Sequence, residues 1–333
     1  MPFKIINKDN LLHNIQYIRS KLHSNTLLCA VVKANAYGHG IENIVPHIDK
    51  FVDYYAVNNI IEAHNLLPLT KHNILILQDL HYYPNISPQI HYTLSNLDLD
   101  ISTITAPTNF HIALNTGMNR LGIPPFQLPN FLTKLSHNCN INITGIYSHI
   151  SDSSNIQRTN QQIQILSHFT QNLPFLRHLA SSTNFSIFPQ SEFDMVRIGL
   201  ALYGYTDTHF SPIMSVHSQI IHILEVPAHS YIGYGSNYIT TQPTRIAILD
   251  IGYADGLPRN LSNNGYVLIH NTPCPILGNI CMNMTLVDIS KIHCNLNDIA
   301  TILSPTLNAD ILAHQSHTIP YEILTNFSYL HTK

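Results

Sequence analysis

Apolar residues follow two different rhythms along this chain. Up to Gly204, short runs that are apolar throughout alternate with segments that are helix-like or rich in turns. The runs are Leu27 to Val32, Tyr54 to Val57, Ile74 to Leu77, His91 to Leu94, Phe110 to Leu114, Ile141 to His149, Leu176 to Ala180 and Met195 to Leu200. Strands without a polar face are those of parallel sheets covered by helices. Eight in succession predict an α/β fold, a (β/α)8 TIM-type barrel. The segment between the fourth and fifth runs reads as a short, poor helix. Ahead of the first run, Leu11, Leu12, Ile15, Ile18 and Leu22 recur at helical spacing, with Asp9 placed to cap the helix.

Beyond Gly204 the rhythm becomes alternation. Ser218 to Val226, Arg245 to Ile251, Tyr266 to His270 and Met284 to Ile289 lie between Pro, Gly and Asn turns, as half-buried strands do. A second, mainly β C-terminal domain is expected, with the break near Asp207 to Pro212. The predicted domains are therefore residues 1–210 and 211–333.

Composition narrows the function classes. With 44% hydrophobic and 11% charged residues, the chain has core material in plenty and is not disordered. A net charge of −3 and the lack of any Lys/Arg run argue against nucleic acid, whose binding requires several phosphates to be neutralised together, and point to a small-molecule substrate. The amino end has no signal-peptide apolar region and no run approaches the ~18 apolar residues of a membrane span, so a cytoplasmic protein with no membrane partner is expected. Five scattered cysteines predict no disulfide framework, and 22 histidines without ligand spacing predict no metal site. Most of those histidines read as stand-ins for charged surface residues.

Candidate chemistry begins at Val31-Val32-Lys33-Ala34-Asn35-Ala36-Tyr37-Gly38-His39-Gly40. Lys33 stands at the C-terminal end of the first strand, where parallel barrels keep their chemistry, and Gly38 and Gly40 break the regular structure after it. A lysine there either extends its ammonium to solvent or, partly desolvated, loses its proton and becomes the amine that Schiff-base chemistry needs. Arg120, after the fifth strand, is suited to grip a carboxylate through paired hydrogen bonds at the same barrel mouth, and by itself reads equally as a surface arginine. His149 ends the sixth strand and fits a core histidine as readily as a functional one. Tyr253, before a glycine turn in the β domain, by itself reads as packing.

Together these blocks resemble the signature segments of alanine racemases. They are V-V-K-A-N-A-Y-G-H-G, then T-G-M-N-R-L-G at Thr116 to Gly122, D-M-V-R-I-G-L-A-L-Y-G at Asp194 to Gly204 and G-Y-A-D-G at Gly252 to Gly256. Two more are C-M-N-M at Cys281 to Met284 and P-Y-E-I-L at Pro320 to Leu324. The resemblance covers nearly the whole chain. It implies a pyridoxal 5'-phosphate enzyme that interconverts L- and D-alanine, supplies D-alanine for peptidoglycan, and works as a homodimer whose barrel mouths are closed by the partner's β domain. It implies an aldimine at Lys33, with Lys33 and Tyr253 as the two bases that take and return the Cα proton on opposite faces. Cofactor contacts are implied for Tyr37, His149, Ser182, Arg197, Tyr321 and the amides of Gly199 and Leu200, and substrate contacts for Arg120 and Met282. An arginine facing the ring nitrogen is a permanent donor, so the nitrogen stays unprotonated and the ring is a weaker electron sink, which favours reprotonation at Cα over transamination.

The sequence departs from the family in places. Ala113 stands where many relatives have a lysine that can be carbamylated to steady the arginine, which leaves Arg120 to water, an anion or Asn115. Asn279 and Asn283 replace an arginine and an aspartate, and the carboxyl end lacks arginines common there. A racemase of broader substrate range or a related decarboxylase is the alternative, although no matching decarboxylase motif is found. A non-enzymatic cofactor carrier would have no use for Tyr253.

Overall fold

The computed structural model describes residues 1–333. It opens with a strand that the apolar pattern did not predict, β1 (Phe3–Ile6). Helix Lys8–Lys21 follows and buries Leu11, Ile15 and Ile18. Its cap is Asn7, whose side-chain oxygen accepts the Asn10 N–H at 3.0 Å. Asp9 lies inside the first turn, where its charge complements the exposed N–H groups without capping them.

The eight apolar runs form β2 (Leu27–Val31), β3 (Tyr54–Val57), β4 (Asn73–Asp79), β5 (Ile90–Leu94), β6 (Thr108–Ala113), β7 (Ile141–Tyr147), β8 (Leu176–Ser181) and β9 (Met195–Ile198). They close into a parallel barrel in that order, with β9 returning to β2. The barrel has fewer helices than strands. No helix joins β4 to β5, and only the 3₁₀ turn Ile101–Thr103 lies between β5 and β6, the connection whose helix reads poorly in the sequence. Asn138 and Lys134 fasten that loop instead, donating to the carbonyls of Ile101, Ile104 and Leu97.

The remaining strands are β10 (Met214–Val226), β11 (Thr244–Leu249), β12 (Tyr266–Ile269), β13 (Thr272–Pro275), β14 (Thr285–Asp288), β15 (Ile299–Leu303) and β16 (His331–Thr332). They form one sheet in the order β13-β12-β15-β10-β1-β16, with β11 on β10 and β14 on β11. Strand β1 is antiparallel to β10 and parallel to β16. The chain thus divides into two compact units: Leu11–Ala34 with Ile44–Phe210, which is the barrel, and Ser211–Lys333 with Met1–Asn10 and Asn35–Asn43. No helix is long and apolar enough to cross a membrane.

The chain passes from the first unit to the second within the helical turn Lys33–Tyr37. Ala34, Asn35, Ala36 and Tyr37 have φ values of 51°, 52°, 53° and 52°, so the turn is left-handed. In L-residues that conformation costs roughly 1–2 kcal/mol each, or roughly 4–8 kcal/mol over the turn. The loop expected after the first strand is therefore a strained helical turn, and neighbouring groups hold it.

Candidate active site

The turn is tied at both ends. Glu62 accepts the Ala34 N–H on Oε1 at 2.9 Å and the Asn58 N–H on Oε2 at 2.6 Å. At the far end, His39 Nδ1 lies 2.8 Å from the Ala36 carbonyl and 3.1 Å from that of Tyr37. Carbonyls only accept, so Nδ1 carries the proton, and burial holds this imidazole neutral with its pKa down at about 3. The Asn35 carbonyl accepts from Gly40, and the Asn35 side chain accepts from Ile41. Lys33 leads this clamped turn. Its amine is held below its ordinary pKa by burial first and by Arg120 and Arg197, while Glu62 acts in the opposite direction.

Arg197 points into the barrel from β9 and is 5% exposed. Its Nη1 donates to His178 Nδ1 at 2.6 Å and to the His178 carbonyl, and its Nη2 donates to the Ser148 carbonyl at 2.8 Å. The guanidinium also lies over the Tyr147 ring. Because Arg197 can only donate, His178 Nδ1 must accept, and its proton sits on Nε2. That Nε2 faces His111 Nδ1 at 2.8 Å, and His111 Nε2 faces His91 Nδ1 at 3.3 Å. The one permanent donor thus fixes the tautomers of His178 and His111, and the line ends at His91, whose Nδ1 also meets the Thr144 hydroxyl at 2.9 Å; burial lowers the pKa of all three. Gly145 makes room for this line, since a Cβ there would lie 2.3 Å from His111 Nδ1. These three are not the surface histidines that composition suggests. Their sequence signal is a single histidine within an otherwise apolar strand.

His149 stands close enough to Lys33, Arg120 and Arg197 to feel all three, and burial first, then those charges, lowers its pKa to about 3. Ser182 Oγ accepts the Gly199 N–H at 2.9 Å, so that amide meets the serine hydroxyl, and Leu200 beside it is buried. Ala113 is buried at the end of β6. Asn115 does not steady Arg120: its oxygen accepts from Gly117 and Asn119, and its nitrogen donates to the Asn119 side chain.

The other expected residues belong to the second unit. The Tyr37 and Tyr321 rings lie 5.7 Å apart, and burial raises the pKa of both phenols. Tyr253 begins a 3₁₀ turn after β11 with its side chain 42% exposed. Its N–H donates to the Cys281 carbonyl, and the Ala254 N–H donates to that of Met282, itself exposed. Asp255 Oδ2 accepts from the Gly252 N–H and from Asn283, so the asparagine that replaces the family's aspartate braces the tyrosine turn. Asn279 links the Asn237 side chain to the Tyr234 carbonyl.

None of the ion pairs in the chain includes Lys33, Arg120 or Arg197. The barrel therefore brings Lys33 near Arg120 and Arg197, and the carboxylate that acts on the lysine, that of Glu62, is spent on the Ala34 and Asn58 N–H groups. Such a donor set fits an anionic ligand with a basic ring nitrogen and a reactive carbonyl, as pyridoxal phosphate has, together with a substrate carboxylate.

The family model "Alanine racemase, N-terminal domain" matches residues 6–207, and "Alanine racemase, C-terminal domain" matches residues 213–332. The alanine racemase of Leptospira interrogans serogroup Icterohaemorrhagiae serovar Lai (strain 56601) is 34% identical, with 97% of this chain and 92% of that protein covered. The crystal structure of alanine racemase from Bartonella henselae with covalently bound pyridoxal phosphate gives a TM-score of 0.86 at 26% identity, covering 100% of this chain and 98% of that one. That of alanine racemase from Bacillus anthracis with bound L-Ala-P gives a TM-score of 0.91 at 25% identity, covering 98% and 92%.

Proposed function

The chain belongs to the alanine racemase family, and we propose that it interconverts L- and D-alanine with pyridoxal 5'-phosphate as cofactor, supplying D-alanine for peptidoglycan. The observation that carries this reading is the nearness of Lys33 to Arg120 and Arg197, none of which forms an ion pair. When bound, the cofactor supplies a conjugated ring that draws off the electron pair left at Cα.

The chain's own residues do the rest. Lys33, whose pKa is held below the ordinary lysine value by burial first and then by Arg120 and Arg197, would hold the cofactor and act as the base on one face of the substrate. Tyr253 is the base on the other face, because inversion requires one group to take the Cα proton and a second to return it from the opposite side. Arg120 receives the substrate carboxylate, with Met282 beside it. Arg197 keeps donors for the ring nitrogen beyond those given to His178 and Ser148, and the neutral acceptors around it leave its charge intact. His149 would lie beside the cofactor, and Ser182, Leu200, Tyr37 and Tyr321 would receive its phosphate, with the Gly199 amide donating to Ser182.

Lys33 and Tyr253 belong to different units of the chain, and we assign them to one site built from two subunits of a homodimer. Chiral chromatography of L-alanine incubated with the cofactor-loaded protein should show D-alanine approaching equality with L-alanine. Lys33→Ala should lose the borohydride-fixed adduct, and Tyr253→Phe should keep it while losing racemisation. Refolding the two inactive variants together in equal amounts should return roughly a quarter of wild-type activity, since half the dimers are mixed and each has one native site. Ethylamine in place of D-alanine would make this a decarboxylase, and mixed dimers without activity would remove the shared site.

A further inference from the structure

Lys4 is a lysine that the reaction does not need and the fold has buried. It sits in the middle of β1, 2% exposed, and takes part in none of the ion pairs. Its ammonium instead meets three main-chain carbonyls, those of Gly38 at 2.6 Å, Ser328 at 3.0 Å and Phe327 at 3.2 Å. An ammonium has three donors, so the set is complete. Burial brings the Lys4 pKa down to about 8, with Glu42 opposing, and the group is charged at neutral pH.

These carbonyls come from two segments that matter to the site. Gly38 directly follows the left-handed turn that begins at Lys33 and ends at Tyr37. Phe327 and Ser328 follow helix Pro320–Asn326, which carries Tyr321. The same two segments press together nearby, where a Cβ on Gly38 would lie 2.3 Å from the Leu324 carbonyl oxygen. Lys4 is therefore the crosspiece between the turn bearing Lys33 and Tyr37 and the helix bearing Tyr321. The polarity is favourable as well, since its cation meets carbonyls at the end of the turn while the Glu62 carboxylate meets an N–H at the beginning. The left-handed basin is narrow for L-residues, so a turn confined to it has little slack, and a displacement of Gly38 is passed back to Lys33.

We propose that Lys4 is a positioning residue, whose ammonium holds the strained turn in register with helix Pro320–Asn326 and so sets where Tyr37 and Tyr321 meet the cofactor. The inference rests on the assignment of Lys33 as the cofactor lysine.

The test compares Lys4→Met, Lys4→Gln and Lys4→Arg in the full-length protein. Three quantities are read: the cofactor dissociation constant, the melting temperature of the cofactor-free form, and hydrogen exchange at the His39 and Gly40 amides of the cofactor-free form. Removing the charge should raise the dissociation constant by about tenfold or more and speed exchange at those two amides by a similar factor, with β10 and β11 unchanged. Lys4→Arg, which keeps a cation and its donors, should recover part of both. A folded Met or Gln variant with wild-type affinity and exchange would overturn the proposal. So would losses that only follow the melting temperature, or failure of all three variants to fold, since Lys4 would then be a general stability residue. Lys33→Ala in the same series separates the two readings. If it keeps a reducible adduct, the site assignment fails, whereas the exchange data still report on the turn because they need no cofactor.

Discussion

Acid should unfold this protein before most of its carboxylates are protonated, because four imidazoles are buried without charge. His39, His91, His111 and His178 are at most 4% exposed. Burial drives their pKa values down, to about 3 for His39 and about 4 for His91, and well below the ordinary value for the other two. At pH 5 His39 and His91 remain neutral in the fold, and the pKa values of His111 and His178 are held low in the same direction, whereas in the unfolded chain, with pKa values of about 6.5, nearly all four are protonated. The unfolded state then binds more protons, so this contribution is complete above about pH 6.5 and is lost as the pH falls through that value. At about 1.5 pH units below the unfolded pKa and ~1.36 kcal/mol per unit, His39 and His91 each remove about 2 kcal/mol, about 4 kcal/mol together, and His111 and His178 add losses of the same sign. That is comparable with the ~5–15 kcal/mol stability of a whole domain. His149, held at about 3 by burial first and then by Arg197, Arg120 and Lys33, adds a loss of the same sign. Urea unfolding of the cofactor-free protein, followed by far-UV circular dichroism, should give nearly constant midpoints from pH 8 to 7 and a steep fall between pH 6 and 5. His39 and His91 alone should give a slope of about 2.7 kcal/mol per pH unit, and His91→Gln should make the fall shallower by about 1.4 kcal/mol per pH unit. Stability at pH 5 within about 1 kcal/mol of that at pH 7 would refute the argument.

Three further outcomes follow from single contacts. Gly38→Ala places a Cβ at a φ of 83° and 2.3 Å from the Leu324 carbonyl oxygen, so calorimetry should show a lower melting temperature and equilibrium dialysis a weaker hold on the cofactor; an unchanged melting curve would contradict the packing described. His178→Leu deprives a buried guanidinium of an acceptor and should cost about 1–3 kcal/mol in urea unfolding while weakening cofactor binding. Asn59→Ala removes the cap that accepts the Ile61 and Glu62 N–H groups and should cost about 1 kcal/mol in a thermal melt, with faster exchange at Ala34 as Glu62 loosens.

The barrel was legible because strands buried on both faces leave continuous apolar runs, and every barrel strand in the structure lies on one of them. Strand β1 was not, since it is only four residues long and has a lysine at its centre. The left-handed turn was also hidden. In Ala-Asn-Ala-Tyr only the asparagine is at ease at a positive φ, and for the other three the conformation is imposed by distant partners such as Glu62, which no local pattern encodes. At the site, Lys33, Arg120 and Arg197 could be named from their motifs. The line from Arg197 through His178 and His111 to His91 could not, because one histidine among apolar residues carries no mark of whether it faces solvent or the lumen. The brace from Asn283 to Asp255 was likewise visible only once two distant loops were side by side.

The pairing of β1 with β10 and β16 has a consequence for how the protein is made. Residues Phe3–Ile6 leave the ribosome early, yet their neighbours Met214–Val226 and His331–Thr332 follow only after the whole barrel has been translated. At about 5–20 residues per second, β1 waits many seconds with Phe3 and Ile6 uncovered and the Lys4 amine in water. The turn that presents Lys33 can be latched only after Phe327 and Ser328 exist. A chain released short of those residues would possess every barrel strand and still lack the contacts that fasten the turn after Lys33.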